Sequence, residues 1–190
     1  MRKRLVLLVG AALALASCVS DPVPKGYTGP VAYFGDTSVK RNGTAVDLFY
    51  LEKVNGKDVD NSERATHGAN YGQGFALKAV TVSRPVPAQD ATFQIVGRTH
   101  YAAPIIEMFN RSYGIEGTVH FAPEVDHHYL VKGELGDTYC AVWLEDVETG
   151  KVVGTKTEVN GLCYYDKMTG KAVTKASATQ DASSPPPPSP

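Results

Sequence analysis

Three groups of side chains have types and spacings that could do chemistry. His120 and His128 lie on either side of Glu124 and Asp126. If the strands carrying the two histidines pair across a turn, both imidazoles share one outer face. Their Cβ atoms would stand about 5 Å apart, near enough to hold one metal ion with Glu124 or Asp126 from the turn as a third ligand. His127 would point to the opposite face, because neighbouring strand residues alternate. The alternative is a pair of surface histidines with no ligand. A second group is Tyr139 with Trp143, the only tryptophan. Alternation puts both rings on one face, where they would grip a glycan or a protein partner unless a loop covers them. A third is the polar stretch holding Arg64, His67 and Tyr71, read as a contact surface on a loop.

Catalytic signatures are missing. The sequence has no Gly-x-Ser-x-Gly, no His-Glu-x-x-His and no phosphate-binding glycine loop. The acid pair Glu145 and Asp146 flanks a turn and reads as solvated. The expectation is a protein that is not an enzyme and needs no cofactor. With 19 basic against 20 acidic residues, the chain lacks the strongly basic face that nucleic acid requires.

The elements that must position these groups are strands. The pattern predicts strands over 31–34 and 45–54, set off by Asn42-Gly43 and Asn55-Gly56 turn signals. A long polar loop follows over 57–74, then a strand over 75–82 broken by Arg84-Pro-Val-Pro. Residues 92–101 alternate, with Phe93 and Ile95 on one side and Gln94, Arg98 and His100 on the other. Residues 105–109 fit a strand or a helical turn. A hairpin is expected over 118–135, turning at 123–126. A second pairs 139–146 with 152–165 around a turn at 148–151, with Cys140, Val142 and Leu144 facing one way. At 43% hydrophobic residues, there is material for one core. The expected fold is all-β: a single antiparallel β-sandwich over 31–174, immunoglobulin-like or transthyretin-like. The Pro-rich stretch 175–190 is expected to be disordered.

The chain opens with Arg2, Lys3 and Arg4 and an uncharged run over 5–16, too short for a bilayer, which needs about 20 apolar residues. It ends in Leu15-Ala16-Ser17-Cys18, which resembles a bacterial lipoprotein signal. The resemblance implies that 1–17 is a cleaved signal peptide and that Cys18 carries the lipid. Val19 after the cysteine, rather than Asp, implies the outer membrane, facing the periplasm. Residues 18–30, with Pro22, Pro24 and Pro30, read as a tether reaching at most about 40 Å. Export implies an oxidising compartment, so Cys140 and Cys163 are most simply one disulfide, stabilising by about 3 kcal/mol.

The segments 71–75 (Tyr-Gly-Gln-Gly-Phe), 84–88 (Arg-Pro-Val-Pro-Ala), 103–105 (Ala-Pro-Ile), 121–124 (Phe-Ala-Pro-Glu) and 142–146 (Val-Trp-Leu-Glu-Asp) resemble a group of uncharacterised proteobacterial lipoproteins. That likeness brings no activity with it. The expected role is a non-catalytic envelope lipoprotein, held to the membrane by lipid and binding an envelope protein or a cell-wall component. The alternative is a carrier or sensor for a metal or glycan.

Overall fold

The structure, a computed structural model, describes residues 19–166 and 171–176. Cys18, the signal peptide expected over 1–17 and most of the stretch expected to be disordered, 177–190, lie outside the described residues. The chain order is β1 (Val31–Gly35), β2 (Thr37–Lys40), β3 (Ala45–Val54), β4 (Lys57–Asp58), α1 (Ser62–Asn70), β5 (Ser83–Pro87), β6 (Ala91–Tyr101), α2 (Pro104–Phe109), β7 (Gly114–Phe121), β8 (His128–Leu135), β9 (Tyr139–Asp146), β10 (Val152–Asp166) and β11 (Lys171–Ala176). Two sheets pack face to face in a sandwich-like, all-β arrangement. One runs β11-β10-β9-β8-β1-β5; the other runs β2-β3-β6-β7, with β4 paired to β3.

The core lies between the sheets and follows the alternation. Phe34, Phe93, Phe121 and Tyr129 meet at its centre, the Phe34 and Phe93 rings stacked at 4.7 Å. Ile95, Ile115, Val119, Val131, Val142 and Leu144 complete it. Phe49 is wedged between Gly97 of β6 and Gly133 of β8. A Cβ on Gly133 would stand 2.3 Å from its ring and one on Gly97 2.9 Å, so both sheets leave room for that ring by omitting a side chain.

Four expectations are corrected. The stretch 118–135 is not a hairpin: β7 pairs with β6 in one sheet, and β8 with β9 and β1 in the other. Val119 and Phe121 face inward, and so do Tyr129 and Val131. Inward alternation looks the same whether two strands pair side by side or face each other across a core, so periodicity could not separate the cases. The sandwich is also not wholly antiparallel, since β8 enters its sheet alongside β1 in parallel register.

The third correction exchanges strand and connection around residue 83. Residues 75–82 form no strand, whereas the proline-bearing Ser83–Pro87 does. It is the edge strand beside β1, where a missing N–H costs no ladder bond. Fourth, the stretch 57–74 is not a loop. It contains β4 and α1, started by Asn61, whose side chain accepts the Arg64 N–H. The ambiguous 105–109 stretch falls in a helix, α2, with Pro104 in its first turn.

The helix α1 and residues 71–82 lie over the outer face of β3 and β6. They cover a second apolar cluster, Val46, Leu48, Tyr50 and Val96, onto which Leu77 and Ala79 pack. Ser62, Thr66 and Asn70 recur every fourth residue along one side of α1. Their side chains bond the backbone at Val82, Val80 and Lys78 in turn, with Thr66 Oγ1 accepting the Val80 N–H at 3.0 Å. Four helical residues rise about 6 Å and two extended residues about 6.6 Å. A column of small polar side chains on a helix can therefore satisfy alternate residues of an extended strap.

The segment read as a tether is seated on the fold. Ser20 donates its backbone N–H and its hydroxyl to the Asp58 carbonyl, at 2.8 and 2.9 Å, and Pro22 and Pro24 line a recess beside Val59 and Val86. At the other terminus, Lys175 and Ala176 belong to β11, paired with the second half of β10.

Candidate functional site

The histidines first paired by sequence are apart. His120 points outward from β7 beside Asp90, its Nε2 3.4 Å from Oδ2. His128 points outward from β8, on the other face of the sandwich, stacked on Tyr33 and bonded to Glu148. The set His120, His128 and Glu124 is thus corrected, because the two strands belong to different sheets.

His127 takes its place. Residues Cys140, Val142, Leu144 and Asp146 form the inward row of β9, and Asp146 stands last in it, at the mouth of the sandwich. It is 5% exposed, not the solvated acid its position beside a turn suggested. Its Oδ2 is 2.9 Å from His127 Nδ1, and its Oδ1 accepts the Thr149 N–H at 3.0 Å. Glu148 Oε2 stands 3.9 Å from the same His127 nitrogen, while Glu124 Oε2 is 3.1 Å from Nε2. His128 holds Glu148 from the far side with its backbone N–H and its ring, at 2.9 and 2.8 Å. The hydrogen bond to Asp146 raises the His127 pKa above the ordinary imidazole value. Burial pushes Asp146 up, but the bonds from His127 and Thr149 outweigh it and hold the carboxyl below its usual range. The His128 amide and ring do the same for Glu148. The β9 alternation carried the signal for Asp146: its parity matches that of Cys140, Val142 and Leu144.

A second candidate lies at the far end of β6. There α1, the end of β6 and α2 enclose a cleft of about 540 Å³, lined among others by Glu63, His67, Tyr71, Arg98, His100 and Glu107. Of the predicted contact trio, His67 and Tyr71 face this cleft. Arg64 does not: its guanidinium bonds the Val59 carbonyl and lies 4.0 Å from Asp58. The His67 and His100 rings meet edge to face at 6.2 Å. Glu63 Oε1 lies 3.7 Å from Arg98 and 3.9 Å from His100. Burial lowers the His100 pKa, with Glu63 opposing. Arg98 also covers the Tyr165 ring at 3.7 Å. Tyr71 of this lining is exposed, as are Phe75 and, in α2, Ile105, Met108 and Phe109; Met108 and Phe109 line a second recess with Arg41, Tyr101 and Tyr113.

Tyr139 and Trp143 share the outer face of β9 as alternation required. Lys156 of β10 lies over both rings, at 5.4 and 4.9 Å, and its ammonium bonds the Tyr139 hydroxyl. Cys140 and Cys163 are joined, both fully buried. No protein-family model, no curated protein and no solved structure matches this chain.

Proposed function

We propose that this chain is a lipid-anchored envelope protein whose β-sandwich, of immunoglobulin-like or transthyretin-like type, binds a protein partner and performs no catalysis. One observation carries the partner reading. Exposed Tyr71 lines the cleft, and exposed Met108 and Phe109 of α2 line a recess that shares Tyr101 with it, and exposed apolar side chains gathered on a surface mark protein contacts. Inside the cleft Glu63 is engaged by Arg98 and His100, an arrangement suited to holding a polar group rather than to abstracting a proton. The anchor reading rests on Leu15-Ala16-Ser17-Cys18. Ser20, two residues beyond that cysteine, is already seated on Asp58.

The anchor is tested by mass spectrometry of the native protein. Expected is an N-terminus at residue 18 carrying acyl chains; an unmodified thiol refutes it. The partner is tested by photo-crosslinking in intact envelopes from position 109, with position 89 as control. One defined protein captured from 109 alone, and lost on Met108→Glu, supports the reading. Equal yields from both positions, or capture of cell-wall glycan only, overturn it.

A further inference from the structure

At the opposite end from the cleft, the His127 cluster has the form of a coordination site. We infer that His127 Nδ1, Asp146 Oδ2 and Glu148 Oε2 bind one divalent transition-metal ion, with Zn²⁺ as the probe. The inference goes beyond the partner-binding reading and stands without it.

The three donor atoms all lie within 4.8 Å of one another. Donors sharing an ion at about 2.0–2.2 Å stand about 3–4 Å apart. Of the two separations from the imidazole nitrogen, 3.9 Å falls in that range and 2.9 Å lies at its lower edge. An imidazole N–H is a single donor along a single line, yet two carboxylates converge on this nitrogen. The Asp146 bond uses that line, and Glu148 at 3.9 Å is left beyond hydrogen-bond reach of it. An ion at the vertex would engage both.

Each donor is also aimed by a group behind it. Glu124 sits on Nε2 of His127, the carboxylate–histidine arrangement that fixes a ligating ring's orientation and raises its basicity. Thr149 fixes Asp146 through its other oxygen, and His128 fixes Glu148. The Asp146 side chain is 7% exposed and Glu148 38%, so an ion would enter from the Glu148 side and keep a water-facing position. One imidazole with two carboxylates favours Zn²⁺ over Mg²⁺ or Ca²⁺, which prefer all-oxygen sites. The cleft histidines make a poorer site, because Arg98 places a cation 3.7 Å from Glu63.

The test is calorimetric titration of the folded chain, carrying no histidine tag, with Zn²⁺ and separately with Mg²⁺. Histidine side-chain NMR is recorded in parallel. Expected is saturable 1:1 Zn²⁺ binding that shifts the His127 ring signals. Affinity should fall at least tenfold in both His127→Ala and Glu148→Gln, several-fold in Glu124→Gln, and stay unchanged in His67→Ala. Glu148 is the most exposed donor, so Glu148→Gln remains informative should His127→Ala fail to fold. Binding that persists in Glu148→Gln, shifts confined to His67 and His100, or no saturable binding would each overturn the assignment.

Discussion

At the scale of single residues, the buried charges determine most. The Asp36 side chain is fully buried where the chain passes from β1 to β2. One of its oxygens accepts the Leu51 N–H; the other accepts the Ser62 N–H and hydroxyl and the Arg84 guanidinium at 2.6 Å. One carboxylate thus joins β1, β3, α1 and β5. Asp36→Asn leaves Arg84 charged and uncompensated inside the fold. The expected loss is about 3–5 kcal/mol in urea unfolding. Adding Arg84→Met should recover part of it, since the unpaired cation is then gone; no recovery would mean the backbone bonds dominate. His100 supplies a pH signature. Burial depresses its folded pKa from the ordinary 6.5, against Glu63 and Glu107 and together with Arg98 and His67. A depressed pKa means the fold disfavours the protonated ring. This stability contribution is therefore complete above pH 6.5 and is lost as pH falls toward the folded value. His100→Gln should flatten the decline of stability below about pH 6.5, measured against the parent chain.

At the scale of elements, the strap over α1 depends on three hydroxyl and amide side chains rather than on a ladder. Thr66→Val keeps the shape but leaves the Val80 N–H without its acceptor. The expected cost is about 1–3 kcal/mol, with faster proteolysis between residues 71 and 80, where the strap would lift off its apolar cluster. Equal cleavage rates for the parent chain and Thr66→Val would show that Leu77 and Ala79 hold the strap by packing alone. The same element marks where sequence reading stopped. The strands at 92–101 and 139–146 were legible because apolar residues recur on one face, and that at 45–54, buried on both faces, because it is rich in β-formers between two Asn-Gly turns. The partnership of His127 with Asp146 and Glu148 was not, because it depends on which sheet each strand joins, and alternation is silent on that. Likewise α1 has few apolar residues, being held by polar bonds to the strap and by Asp36 at its start; a search for an amphipathic stripe passes over it. Pro85 and Pro87 argue against a central strand, and β5 is an edge strand, so the rule held while its application to 83–87 did not.

At the scale of the whole molecule, the two termini of β6 set an axis. Its Ala91 end adjoins the Asn55-Gly56 turn, where Asn55 donates its backbone N–H to the Thr92 carbonyl, and Ser20 lies on Asp58 close by. Its Tyr101 end leads into α2 and the cleft. Eleven strand residues separate these ends by about 30 Å. With Ser20 fixed, the lipid proposed for Cys18 would have only Val19 between it and the fold, so the free reach of such an anchor would shrink from about 40 Å to one or two residue lengths. A chain anchored as proposed could not roam above the membrane. The Asn55 end would then rest on the lipid, and the cleft and α2 would face away from it, open to a partner. Two singly labelled chains test this, each with a fluorescent amino acid at position 55 or 110, reconstituted in vesicles carrying headgroup nitroxides. Nitroxide quenching acts over short range, so strong quenching at 55 and little at 110 is expected. Replacing Ser20 with Pro removes both donors to Asp58 and should reduce the contrast by freeing the anchor segment. Equal quenching at the two positions in the parent chain would show that the seated segment does not orient the sandwich, and the cleft would then have no fixed direction.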